Sequence, residues 1–186
     1  MSFQIHIPTT AVLGPALGAF ALLALARRRK DVPGWRGGPL ALRVLTALYA
    51  AAVVSITLFP LSIYGGAYRS TTPWLSLIQP IPLLMADMSM VPNVIMFVPL
   101  GFLLPLLAHG LTRGRTVALC ALASLGIEVT QLLQYIAFGN GRAVDVNDLI
   151  ANTLGGLLGY AALRTAQRIT ATRTVLNKLS HTPTMV

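Results

Sequence analysis

Five apolar segments, at about 8–26, 40–62, 92–110, 116–138 and 148–163, leave this chain few ways to fold. Hydrocarbon offers no hydrogen bonds, so a crossing segment must satisfy its own backbone, and a helix of about 20 apolar residues does so. A water-soluble fold fails on composition: 55% of the 186 residues are hydrophobic and only 10% are charged, too few to cover a soluble surface. The expected fold is all-α, a polytopic membrane bundle of about five transmembrane helices. The fifth segment is the shortest, and Arg164 and Arg168 extend it by snorkelling toward the interface.

The basic residues orient this arrangement. One side of the five-span arrangement holds Arg27, Arg28, Arg29, Lys30, Arg36, Arg43, Arg113, Arg115, Arg164, Arg168, Arg173 and Lys178, and the other holds Arg69 and Arg142. The positive-inside rule then puts the N-terminus outside and the C-terminus in the cytoplasm. The net charge of +9 needs no nucleic-acid partner, because most of it is a topology signal that also favours anionic membrane lipids. In the first segment the basic cluster follows the apolar run, whereas a secretory signal carries it before, so despite Ala24-Leu25-Ala26 the segment reads as an uncleaved anchor.

Three parts follow: an N-terminal anchor and basic cytoplasmic loop over 1–39, a transmembrane domain over 40–163, and a basic cytoplasmic tail over 164–186, mobile beyond about Lys178. The outer connection at 63–91 contains Thr72-Pro73-Trp74 and Gln79-Pro80-Ile81-Pro82, which exclude a continuous helix, and Trp74 reads as an interfacial anchor. Cys120 is the single cysteine, so no intrachain disulfide or cysteine metal cluster can form.

Against this apolar background, residues 128–152 stand out, because three of the five acidic residues lie there. An ionisable group within a membrane span costs about 3 kcal/mol on insertion scales, so it marks a functional site or a buried partner. Glu128, Gln131 and Tyr135 share one helical face, and Asp148 and Asn152, at i and i+4, form a stripe at the outer end of the fifth helix. The short 139–147 connection makes these helices antiparallel neighbours, and the stripes are expected to face one another across an outward-facing cavity. Asn93 leans over it from the third span, where Pro99 and Pro105 can kink the helix. Gly155 and Gly159, with Gly156 between them, are expected to serve helix packing.

The stretch from Asn93 to Pro105, the Glu128-Val129-Thr130-Gln131 turn, Gly141-Arg142-Ala143-Val144-Asp145-Val146-Asn147-Asp148, and the run from Asn152 to Tyr160 resemble, in order and spacing, the motif set of the VanZ-like membrane protein family. The resemblance covers about 40–163. Ser76-Leu77-Ile78-Gln79-Pro80-Ile81 matches a further family segment only loosely. The resemblance implies a multi-pass protein of the bacterial cytoplasmic membrane, whose namesake lowers susceptibility to the lipid-tailed glycopeptide teicoplanin. It places the family's polar positions on Asn93, Glu128, Gln131, Arg142, Asp145, Asp148 and Asn152, which are the binding candidates.

Three readings of this cluster are open. The first is binding or remodelling of an amphiphilic envelope molecule, such as a lipid-linked cell-wall component or a lipoglycopeptide, in an outward-facing groove. Glu128, Asp145 and Asp148 outnumber Arg142, so a sugar, an amine, or a phosphate bridged by a divalent cation such as Mg²⁺ or Ca²⁺ would fit better than a bare phosphate. The second is a lipid-modifying enzyme with Glu128 or Asp145 as base and Arg142 or a metal stabilising charge, or with a neutral Glu128 carrying a proton. The chain offers it little: His6, His109 and His181 lie far from the cluster in sequence, and no Ser-His-Asp pattern, H-E-x-x-H or P-loop is present. The third is a purely structural polar network fixing helix register. Five spans without an internal repeat argue against a lone carrier.

Overall fold

The computed structural model describes residues 2–82, 90–108, 110–140 and 143–180. Among these residues six helices dominate: α1 (Thr9–Arg29), α2 (Gly37–Leu58), α3 (Met90–Leu107), α4 (Arg113–Phe138), α5 (Val146–Ala166) and α6 (Thr170–Ser180). The first four are each long and apolar enough to cross a membrane. Their outward faces are apolar, with Leu22, Ile56, Ile95 and Leu122 well exposed. Such a surface suits lipid rather than water.

The fifth expected span forms a helix of 21 residues, yet it is not among those four. Asn147, Asp148, Asn152 and three glycines dilute its apolar content. A lipid-facing helix could not afford that composition, but α5 is packed mainly against α3 and α4 and has less lipid to face. Asn147, Ala151, Asn152, Gly155, Gly156, Gly159 and Leu163 are all buried.

Glycines set how closely α3 and α5 approach. A Cβ at Gly155 would collide with the Val94 carbonyl, one at Gly159 with the Val98 carbonyl, and one at Gly101 with the Gly156 carbonyl. The two helices run parallel at backbone contact, as small residues spaced by four allow. On α4, Thr116, Cys120, Ser124, Glu128, Gln131 and Tyr135 are the buried residues, at helical spacing along one face. This helix carries its polar face inward, the reverse of a soluble amphipathic helix.

Not all of the chain is helical. An antiparallel pair joins β1 (Phe3–Ile7) to β2 (Leu61–Gly65), Phe3 opposite Gly65 and Ile7 opposite Leu61, and ties together the start of α1 and the end of α2. The second apolar run extends to residue 62, but α2 stops at Leu58 ahead of Pro60, whose ring lacks an amide proton to extend it. After 3-10 turns at Gly66–Tyr68 and Trp74–Leu77, β3 (Ile78–Gln79) runs parallel to β4 (Val144–Asp145).

The basic end holds the apolar core, formed by Leu42, Leu103, Leu106, Leu163 and Leu176. Leu176 comes from α6, so the tail, at least through Ser180, is a helix docked on the bundle. Its last turn abuts α2, where a Cβ on Gly38 would strike the Lys178 carbonyl. Of the end expected to be mobile beyond about Lys178, Leu179 and Ser180 belong to α6, and residues 181–186 lie outside the described residues. Trp35 in the α1–α2 connection sits between the guanidinium groups of Arg27 and Arg43, 5.6 and 5.1 Å from its ring centre.

Candidate functional site

The polar cluster is built where α5 begins. Asp145 is the N-cap of that helix, its Oδ1 accepting the Asn147 N–H at 2.8 Å, the local bond for which Asp is favoured at this position. The Asp145 main-chain N–H in turn donates to Glu128 Oε2 at 3.3 Å. Glu128 is 4% exposed and has Asp148 and Asp145 as its like-charge neighbours. About two turns beyond Asp145 on α5, Asn152 Nδ2 donates to Ser124 Oγ at 2.9 Å, and Gly156 packs on Cys120. The pairs 152 with 124 and 156 with 120 share one antiparallel register of α4 and α5, which puts Asp148 level with Glu128, and the N-cap Asp145 bonds to Glu128 from outside it.

That register places the start of α5 short of the end of α4: Val146 stands level with about Thr130, so about 12 Å of α4 up to Phe138 extends beyond it. The Glu128-Gln131-Tyr135 face is expected to meet the Asp148-Asn152 stripe, and beyond Glu128 the molecule differs. Gln131, with no α5 opposite it, turns to α2 and donates to the Thr57 carbonyl at 2.9 Å. Tyr135 donates to the Thr72 carbonyl at 2.6 Å and is bonded to Ser70 Oγ at 2.8 Å, both in the connection between α2 and α3. Arg69 from the same connection donates to the Ile136 carbonyl at 2.6 Å, closing the C-terminal end of α4.

Of the remaining candidates, Asn93 donates its side-chain amide to Asp148 Oδ1, linking α3 to α5 at the cluster. Asn152 Oδ1 is buried and, among the described residues, has no hydrogen-bond partner. Gly155 and Gly159 lie at the α3 contact. Arg142, the expected cationic member, lies outside the described residues. Thus Asn93, Glu128, Asp145, Asp148 and Asn152 come together with Ser124, whereas Gln131 belongs to the neighbouring α2 contact. Ser124 carried no signal in the sequence, because a single serine in an apolar helix is ordinary until a partner is seen.

Carboxylate oxygens are hard ligands suited to a divalent cation. Among the described residues no three His, Cys, Asp or Glu side chains are grouped to hold a metal ion. Glu128, Asp145 and Asp148 each accept an N–H instead, so their oxygens are turned toward different donors.

His6 is the residue that sequence distance misplaced. It stands in β1 with Nδ1 2.7 Å from Ser62 Oγ, and it lines a cavity of about 340 Å³ shared with Thr57, Tyr64, Gln131, Gln134 and Asn140. The alternation of Phe3, Ile5 and Ile7 with Gln4 and His6 is the period-two signal of a strand, and it was the available clue.

No curated protein and no solved structure matches the chain. A family model does, described as VanZ/LLP1, over residues 46–167, from within α2 to the end of α5. That interval covers well over half of the chain and includes every member of the cluster, so the chain belongs to the VanZ/LLP1 family.

Proposed function

We propose that the protein is a multi-pass protein of the bacterial cytoplasmic membrane, N-terminus outside and C-terminus inside, that receives the polar part of an amphiphilic envelope molecule beside the start of α5. The observation that carries this reading is the buried Asn152 Oδ1, which has no hydrogen-bond partner among the described residues, next to the Ser124 bond in a cluster with Glu128 and Asp148. A buried acceptor without a donor loses its hydration for nothing, about 1–3 kcal/mol, unless a ligand supplies the missing proton. Hydroxyls of a sugar or the N–H groups of a peptide or amine supply it, and both belong to lipid-linked wall precursors and to lipid-tailed glycopeptides. The apolar faces of α3 and α4 give the lipid tail a place to lie.

In this reading the protein binds or remodels its ligand, and family membership supports a role in lowering susceptibility to teicoplanin-like drugs. Expression in a sensitive host tests it: surface binding of a fluorescent lipid-tailed glycopeptide and its inhibitory concentration should both change, and N152A or E128Q should reverse the change. Unaltered binding and susceptibility on expression of the wild-type chain would sink the drug-protection role.

A specific observation favours the second reading, a structural network. Gln131 and Asn93 each already hold another element of the protein, and the Asp145 side chain caps its own helix. If registry were their whole role, substitutions at Glu128 and Asn152 would lower stability and leave ligand binding per folded molecule intact.

A further inference from the structure

At the opposite end from the cluster, where α5 gives way to α6, three arginines line an open cleft of about 380 Å³ together with Gln167 and Asn177. Arg164 donates to Gln167 Oε1 at 3.1 Å. Among the described residues Arg168 and Arg173 have no carboxylate partner, and Asp31, the acidic residue of this end, is paired with Arg36. Thr172 Oγ1 donates to the Ala166 carbonyl at 2.7 Å, and Leu176 is buried in the apolar core, so the α5–α6 corner that carries these arginines is held in place. The cleft is therefore concentrated positive charge on a fixed support.

We propose that this cleft is a binding site for the phosphate of an anionic lipid headgroup. Guanidinium forks match phosphate oxygens in paired hydrogen bonds, and two or three of them around one cleft select an anion carrying several oxygens. The amides of Gln167 and Asn177 are suited to the ester oxygens or hydroxyls beside the phosphate. A free phosphate would satisfy the same groups, but the surroundings favour a lipid. Ile169, in the turn before α6, and Val175 within it are each more than half exposed, and the cleft lies at the end of a membrane-length bundle. Basic pockets between helices at this level collect anionic headgroups. The inference is independent of what the cluster at the other end binds.

Thermal unfolding of the purified full chain in neutral detergent tests it, titrated in parallel with phosphatidylglycerol, phosphatidylcholine and inorganic phosphate. Phosphatidylglycerol should raise the midpoint, and R168Q/R173Q should shift the half-saturating concentration upward by roughly fivefold or more. R113Q/R115Q, which removes equal charge outside the cleft, should leave it near the wild-type value. An equal rise with phosphatidylcholine, an unshifted R168Q/R173Q, or an equal loss in R113Q/R115Q would each overturn the site. Inorganic phosphate that alone reproduces the full rise would overturn the lipid source.

Discussion

The main-chain N–H of Asp145 reaches Glu128 Oε2 at 3.3 Å, well short of the C-terminal end of α4. A helix therefore begins inside the bundle, and a buried carboxylate stands at its start. Glu128→Gln keeps an acceptor oxygen for this N–H and should fold with an unfolding midpoint close to wild type. Glu128→Leu removes the acceptor from a part-buried amide and should cost about 1 kcal/mol or more. Thermal unfolding of the two variants in one detergent checks the contrast, which disappears if the bond is incidental.

The glycines of α5 differ sharply from one on α4. Gly155→Val and Gly159→Val drive side-chain atoms into the Val94 and Val98 carbonyls, and backbone cannot yield as a flexible side chain does. Each should cost about 3 kcal/mol or more, seen as lost monodisperse protein on size exclusion. Gly126 has open space around its would-be Cβ, so Gly126→Ala should be neutral or raise stability by up to about 1 kcal/mol. A well-folded G159V would refute the backbone contact.

The Ser124–Asn152 hydrogen bond joins α4 to α5 inside the bundle. A double-mutant cycle with S124A and N152A should give a coupling of about 0.6 kcal/mol, the ordinary value for such bonds in membrane proteins. Zero coupling would mean that the pair does not form.

Cys120 is fully buried, so the wild-type chain provides a silent background for thiol labelling. With the proposed orientation, a cysteine at Ser2 should react with a membrane-impermeant maleimide added to intact cells, and one at Ser180 should react only after the membrane is opened. The opposite pattern would invert the topology and move the cluster to the cytoplasmic half.

Local chemistry made much of this legible in the chain. Apolar runs of membrane length marked α1 to α4 because hydrocarbon dictates both their composition and their length. The scarcity of acids made Glu128, Asp145 and Asp148 conspicuous, and Asp145 followed by Asn147-Asp148 is a helix start readable from side-chain type alone. Gly155 and Gly159 announced close packing without naming the partner, and neither their spacing nor the short loop before α5 shows that the partner at that contact is α3.

Tertiary structure decided the rest, because it depends on which faces meet and at what depth. No sequence rule gives the axial offset of α5 against α4, yet that offset sends Gln131 and Tyr135 to α2 and the α2–α3 connection and leaves Glu128 with Asp145. The β1–β2 pairing, which carries His6 to the cavity that Gln131 lines, joins segments more than fifty residues apart. The sequence alone determined which residues are costly to bury. Only packing determined which partners offset that cost, since a hydrogen bond is set by distance and direction rather than by residue type.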